Sequence, residues 1–234
     1  MSTTRTPALI RLVAVAAVVL TTATVVAAHG VSSKDGRFLQ SIEGAAVGPL
    51  MYLGAKHMVT GYDHLLFLVG VIFFLYKPKD ILLYVSLFTI GHSVTLLAGA
   101  IGGLRADPHL VDAIIGLSIV YKGFENLGGF RSVLSWQPDT RIAVLVFGLF
   151  HGLGLATKLQ DFALSKNGLV TNIVSFNVGV EIGQMLALTA VLIGLGYWRT
   201  RAGYLRHAYA TNAALMTGGF VFVGYQLSGY FVTA

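Results

Sequence analysis

The sequence contains no cysteine. Disulfides, thiolate metal sites and cysteine nucleophiles are therefore excluded. Only five methionines are present, and they form no cluster, so a thioether site for cuprous copper is not expected. Any metal ion bound by this chain must be held by nitrogen and oxygen atoms.

Charged residues are also scarce, at 11% of the sequence, against about 25% in ordinary soluble domains. Hydrophobic residues reach 55%, and long apolar runs recur along the chain. We therefore expect an all-α polytopic bundle of about six transmembrane helices in a lipid bilayer. The net charge is +6, but the basic residues lie in short loops, where they indicate membrane topology rather than nucleic-acid binding.

The N-terminal region has the features of an export signal. Residues 1–28 combine Arg5 and Arg11 with an apolar stretch that ends at Ala27 and Ala28, which is typical of a signal peptide. An uncleaved anchor is the competing interpretation. We expect residues 29–46 to form a short periplasmic segment and residues 47–234 to form a single helical membrane domain.

Six apolar runs follow, at about 47–76, 80–103, 109–128, 141–158, 169–197 and 208–232. The loops on one side carry Lys77, Lys79, Arg131, Arg141, Arg199, Arg201 and Arg206, and those on the other carry Arg105, Lys158 and Lys166. The positive-inside rule then places both mature termini outside. The 28 glycines suit close helix packing and allow dimers or trimers.

The first run contains a break candidate, Gly61. Residues 62–76 would span only about 22 Å as a helix, less than the roughly 30 Å hydrocarbon layer. Either 47–76 is one long tilted helix, or 47–60 is a short re-entrant segment in the outer leaflet.

Three ionisable residues flank Gly61, namely His57, Asp63 and His64. Ionisable groups inside a membrane are costly and are candidates for function; the alternative is a solvated cluster at the surface. On a straight helix the two histidines lie about 10 Å apart, too far for one ion with bonds of about 2 Å. Either Gly61 folds His57 back, or the histidines are successive positions on a path. Asp63 either binds the ion or orients His64.

Two further histidines lie in the middle of later runs. His92 shares a polar stripe with Thr89 and Ser93, because these spacings bring side chains together on a helix. His151 lies among three glycines, which we interpret as packing residues. The alternative for His92 is a hydrogen bond to a neighbouring helix, whereas His151 is the functional candidate among its glycines.

The fifth run carries a carboxylate. Asn177, Glu181 and Gln184 recur at spacings that predict one polar face. A glutamate at this depth needs a cation, a proton or a donor network. In the third run, Lys122 and Glu125 are three residues apart and are interpreted as a local ion pair with the lysine reaching toward the surface.

Counting helical turns predicts a descending series of donors. The first cluster would lie at the outer boundary, with His92, His151 and Glu181 between the outer quarter and the middle of the membrane. Imidazole and carboxylate donors suit nickel, cobalt, zinc or iron better than calcium or magnesium.

These motifs resemble the HupE/UreJ family of bacterial membrane proteins. The resemblance is carried by His57-x5-Asp63-His64, Gly91-His92-Ser93-Val94-Thr95-Leu96, Phe150-His151-Gly152 and the stretch from Phe176 to Gln184. It implies a permease for nickel or cobalt in the bacterial inner membrane, of the kind that serves hydrogenase and urease maturation. By resemblance, His57, Asp63, His64 and His151 belong to the metal-linked motifs.

The sequence departs from the family pattern after Phe150-His151-Gly152. The family usually continues to a further histidine and an acidic residue, whereas this chain continues as Leu153-Gly154-Leu155-Ala156-Thr157-Lys158. It is therefore more similar to the second, less characterised branch of the family. From its depth, Glu181 is the candidate to replace the missing carboxylate.

Three functions fit these residues. The first is a metal-ion permease that passes an ion inward by ligand exchange. The second is an intramembrane zinc-type hydrolase, since three histidines and a carboxylate can hold catalytic zinc. The third is a metal-binding sensor or assembly protein. Donors that converge on one closed, wet pocket favour the hydrolase, and donors along a path favour transport.

Overall fold

The computed structural model describes residues 33–160 and 167–233, and all regular structure there is helical, as predicted. The predicted signal peptide, residues 1–28, lies outside the described residues. In chain order the helices are α1 (Ser33–Ser41), α2 (Val47–Thr60), α3 (Tyr62–Ile72), α4 (Pro78–Gly102), α5 (Pro108–Asn126), α6 (Gly129–Leu134), α7 (Thr140–Gln160), α8 (Leu169–Arg199) and α9 (Tyr204–Thr233).

Local sequence signals account for several helix ends. Pro78 and Pro108 occupy first turns, where the missing N–H costs nothing. Asp107 caps α5 by accepting a hydrogen bond from the backbone N–H of Leu110 at 3.1 Å. Gly103 ends α4 with a φ of 71°, a left-handed conformation that glycine adopts without strain.

Helices α2 and α3 together run the length of α8. At the start of α2, the Asn172 side chain accepts from the N–H of Ala46 at 2.7 Å. At the end of α3, Arg199 donates to the carbonyls of Ile72 and Phe73 at 2.9 and 2.6 Å. The segment 47–60 therefore does not return to the end where it begins. The re-entrant interpretation is corrected, since 47–60 is the first half of an interrupted helix.

Glycines set the two closest helix pairings. A Cβ on Gly152 would meet the carbonyl oxygen of His92, which brings α7 against α4. A Cβ on Gly179 would likewise meet the backbone of Met51, which brings α8 against α2. Gly148 packs on Phe88 in the same way, so the predicted packing role of glycines around His151 is confirmed there. Small residues of this kind let backbones approach in lipid.

The outer surface of the bundle is apolar. Leu82, Ile193 and Leu205 are 66%, 71% and 73% exposed, and surfaces of this kind suit lipid rather than water. Three of the described helices, α4, α7 and α8, are long and apolar enough to cross a membrane. These features indicate a membrane protein, and the remaining crossings stay a prediction.

Candidate metal centre

The interruption of the helix at Gly61 brings the first two histidines together. His57 lies in the last turn of α2, and His64 lies in the first turn of α3. Their ring centroids are only 5.2 Å apart, although a straight helix would separate them by about 10 Å. Of the two geometries open to the sequence, the break that folds His57 back is the one observed.

The close pairing of α4 and α7 brings in the other two histidines. The His151 ring centroid lies 4.7 Å from that of His64, and the His92 ring centroid lies 5.8 Å from it. His64, His92 and His151 are all at most 4% exposed. Four histidines from α2, α3, α4 and α7 thus meet in one place, which we call the histidine cluster: His57, His64, His92 and His151.

One carboxylate completes a set of donors within this cluster. Asp63, His64 and His151 each offer one ligand atom, and these atoms lie within 4.8 Å of one another. An ion with bonds of about 2 Å to each donor would hold them roughly 3–4 Å apart. Small side-chain rotations would therefore suffice for these three residues to bind one ion.

Several ring nitrogens in the cluster lack hydrogen-bond partners within the part of the chain that the structure describes. They are Nε2 of His57, Nε2 of His64 and both ring nitrogens of His92, and all four atoms are buried. A buried polar atom without a partner costs about 1–3 kcal/mol, and such atoms are rare in native proteins. Their concentration around one point fits a group of residues that binds an ion.

Asp63 orients His64. Its Oδ1 lies 3.0 Å from Nδ1 of His64, so Nδ1 carries the hydrogen and Nε2 is the nitrogen able to bind a metal. A carboxylate has a second oxygen, so this contact leaves Asp63 able to bind the ion as well. Both roles that the sequence allowed for Asp63 are therefore compatible with the geometry.

Two phenylalanine rings form an aromatic wall on one side of the cluster. Phe88 lies 5.0 Å from the His151 ring and 6.2 Å from the His92 ring, and Phe67 lies 5.6 Å from His151. Phe67 and Phe88 are completely buried. Such a wall lowers the local dielectric, which strengthens the attraction between a bound cation and its donors.

The four histidines lie together and not in the series that the sequence predicted. The first histidines were expected at the outer boundary, above His92 and His151. Because α2 supplies 14 residues of helix before the break, or about 21 Å of length, His57 and His64 reach the level of the other two. The predicted descending series is corrected to one convergent cluster.

The polar face predicted on α8 is only partly directed inward. Gln184 is buried and accepts a hydrogen bond from Thr89 at 3.3 Å, and the Asn177 side chain lies close enough to interact with His92. Ser93 is half-buried, and Glu181 is exposed. The placement of Glu181 is therefore a correction. Val180 and Gly183 lie on the buried face of α8. Each successive residue is rotated by about 100° around the helix, so Glu181 lies outside that face.

Ser118, which no sequence pattern singled out, also contacts the cluster. It lies on α5, is completely buried, and its Oγ is 3.3 Å from Nε2 of His151. A lone serine in an apolar helix gives no signal by composition or spacing. Only the packing of α5 against α7 identifies it.

An open pocket reaches the cluster at His57. It is lined by polar Asp35, Lys56, His57 and Thr60, together with Leu39, Leu53 and Phe176. Lys56 and Asp35 form an ion pair at 2.8 Å at this pocket. The buried histidines therefore have a polar approach from the side where α1 covers α2.

A family model described as HupE / UreJ protein matches residues 33–234. The chain belongs to the HupE/UreJ family. The match spans all the helices described above, so the resemblance of the short histidine motifs extends to the whole membrane domain. No curated protein and no solved structure matches the chain.

The HupE/UreJ family is associated with the transport of nickel and cobalt. Membership supports a role in moving metal ions and is consistent with a protein that is not an enzyme. The convergent geometry is a separate observation. Convergence was the arrangement expected of a hydrolase rather than of a path for transport, but one compact set of donors also suits a central transport site.

Proposed function

We propose that this protein is a membrane permease for a divalent transition-metal ion, nickel or cobalt, in the bacterial inner membrane with both mature termini outside. The observation that carries the proposal is the buried donor set of Asp63, His64 and His151, whose ligand atoms lie within 4.8 Å of one another. In a family of metal transporters, such a set is the natural place for the transported ion.

The chemistry of the donors supports this choice of ion. Imidazole nitrogens dominate the cluster, and the chain has no cysteine. Imidazole suits nickel, cobalt and zinc, whereas magnesium and calcium prefer sites made of oxygen alone. Selection between nickel, cobalt and zinc would depend on how many of the four histidines bind at once.

The pocket at His57 supports entry of the ion from the α1 side. An ion in the pocket would meet His57, whose Nε2 is buried and has no hydrogen-bond partner among the described residues. The adjacent His64 ring, 5.2 Å away, would then exchange for His57 and lead the ion to His151. Asp63 would balance part of its charge. Transport requires each of these bonds to be weak enough to release the ion.

Convergence implies one central site rather than a series of stations. Because the four histidines lie at one level, the ion would leave when the donor set opens, and not by steps through further donors. His92, with Asn177 beside it, would complete the site from α4. Glu181 has no part in this proposal because its side chain is exposed.

Uptake into proteoliposomes tests the proposal. Purified wild-type protein should accumulate nickel or cobalt inside liposomes, and His64→Ala should reduce the rate to that of empty liposomes. His207→Ala is the matched control, since His207 is an exposed histidine outside the cluster, and it should transport at the wild-type rate. Wild-type flux in His64→Ala would contradict the proposal. Metal binding without flux in the wild type would favour a sensor or assembly protein.

The convergence of donors also supports a second candidate, a zinc-type hydrolase. Three protein donors around one ion would leave an open position for a water molecule. Ser93 is not a nucleophile partner for His92, since adjacent residues on a helix point in different directions. Hydrolysis of peptide or ester substrates that is lost both in His64→Ala and with a zinc chelator would favour this function over transport.

A further inference from the structure

Ser118 makes two contacts with different chemical partners. Its Oγ lies 2.6 Å from the carbonyl oxygen of Ile115, one turn back on α5, and 3.3 Å from Nε2 of His151 on α7. All three groups are inside the bundle, and the serine side chain is completely buried. Water therefore does not compete for the hydroxyl group.

The position of one hydrogen atom follows from these contacts. A hydroxyl has a single hydrogen and two lone pairs, and a carbonyl oxygen can only accept. The contact with Ile115 is close to the commonest O–H···O distance of about 2.7–2.8 Å, so the serine hydrogen points there. Ser118 then offers His151 a lone pair, and Nε2 of His151 must carry the ring hydrogen.

We propose that Ser118 is a positioning residue for the metal centre: it holds the ring hydrogen of His151 on Nε2 and so makes Nδ1 the nitrogen that binds the ion. A neutral imidazole has one N–H and one lone pair, so fixing the first also fixes the second. The inference rests on the proposed function, because it concerns the same ion at the same site.

His64 and His151 are thereby oriented in opposite senses. Asp63 holds the hydrogen of His64 on Nδ1, which leaves Nε2 for the ion. Ser118 holds the hydrogen of His151 on Nε2, which leaves Nδ1. Since Nδ1 is next to the ring carbon that joins the β-carbon, a bound ion would lie closer to the backbone of α7 than to that of α3.

The arrangement corresponds to the outer-shell partners of known metal sites. A ligating histidine usually donates its second ring N–H to a carboxylate, a carbonyl or a water molecule, and this bond raises the basicity of the ligating nitrogen. Here the Ser118 hydroxyl accepts from His151 and donates to the carbonyl of Ile115, so it links the histidine to a carbonyl. Because Ser118 donates to Ile115, its oxygen becomes a better acceptor for His151.

Cobalt binding to the purified full-length protein tests the role of Ser118. Ser118→Ala should weaken Co²⁺ binding by about 10–100-fold, the usual effect of losing an outer-shell partner, and should change the visible absorption spectrum of the bound ion. Ser118→Thr, which keeps the hydroxyl, should restore both. Ser175→Ala is the matched control, since Ser175 is a buried serine on α8 whose hydroxyl donates to the carbonyl of Thr171 at 2.7 Å.

Nitrogen NMR of the metal-free wild type gives a second readout. The ring signals of His151, assigned by their loss in His151→Gln, should show the hydrogen on Nε2. Ser118→Ala should give a mixture of the two ring forms, which a purely structural role for the serine would not produce.

The two ideas fail in different ways. Equal cobalt affinity in wild type and Ser118→Ala, or a hydrogen on Nδ1 of His151 in the wild type, would overturn the inference about Ser118. Absence of cobalt and nickel binding to the wild type would overturn the proposed function, and the NMR result would still decide where Ser118 holds the hydrogen. If Ser118→Ala does not fold, Ser118→Thr and the wild-type spectrum decide.

Discussion

Helix α5 contacts two buried polar clusters that differ in how their atoms are partnered. At Ser118 it meets the histidine cluster, where four ring nitrogens lack hydrogen-bond partners among the described residues. About two turns further on, Glu125 accepts from Lys122 at 2.5 Å, from Gln137 at 3.1 Å and from Thr140 in a shorter contact. The histidine cluster therefore has ring nitrogens that could still bind a ligand, whereas both carboxylate oxygens of Glu125 already accept hydrogen bonds.

Under the proposed function, this difference separates a metal-binding cluster from a structural one. A fully paired buried network rigidifies the helices that supply it, whereas one with unpaired members is unfavourable unless a ligand joins it. The predicted local ion pair of Lys122 and Glu125 is confirmed at 2.5 Å. The lysine does not reach the surface, however, because its side chain is buried and its Nζ donates to Glu125 on the same helix.

The largest expected effect is on metal binding. His151→Ala should lower the affinity for Co²⁺ or Ni²⁺ by more than the about 10–100-fold that loss of an outer-shell partner costs, because it removes a donor from the set. The control is His109→Ala. His109 lies outside the cluster, and its Nδ1 is hydrogen-bonded to Oε1 of Gln226 at 2.8 Å. Titration of purified protein with metal analysis measures both. Equal losses in the two variants would remove the distinction between binding and structural histidines.

The second effect is on stability and leaves metal binding unchanged. Glu125→Ala strands a buried lysine charge, which should lower the free energy of unfolding by about 3–5 kcal/mol. The double variant Lys122→Met with Glu125→Gln removes both charges, keeps an acceptor for Gln137 and Thr140, and should lie much closer to wild type.

Denaturation in mixed detergent micelles measures these stabilities. The folded fraction of each variant should bind Co²⁺ with wild-type affinity. A change of affinity in the double variant would show that the ion pair contributes to the metal site, so that the two clusters on α5 are not independent.

The smallest expected effect is at Glu181. Because this side chain is exposed, Glu181→Gln should leave the affinity for Ni²⁺ and Co²⁺ unchanged, as measured by equilibrium dialysis. Asp63→Asn is the comparison at a buried carboxylate, and it should weaken binding. A loss of about tenfold or more in Glu181→Gln would restore the interpretation of Glu181 as a donor.

Much of the site could be predicted from the sequence, because polar groups are costly in lipid and therefore stand out. His57, Asp63, His64, His92 and His151 are ionisable residues within apolar runs, and the structure brings all five together. The sequence also identified Gly61 as the candidate break point, but it left one long tilted helix open as the alternative.

Errors arose where the direction of a side chain decided the outcome. Glu181 and Gln184 are three residues apart and were expected on the same face of α8. The buried face includes Gln184 but not Glu181, so a small difference in the rotation of the helix decides which of them is buried. The sequence did not identify Ser118, because serine is common in membrane helices as a packing residue and nothing nearby indicates that its side chain contacts the cluster.

The sequence by itself determined that this chain is a helical membrane protein, because composition and apolar run length decide which solvent a helix can occupy. It also determined the chemistry of the donors, because the absence of cysteine leaves only nitrogen and oxygen. Only the tertiary structure decided that the donors form one cluster. Their distances depend on the helix break at Gly61 and on close glycine contacts between helices, and neither the angle of a break nor the rotation of a helix follows from local sequence.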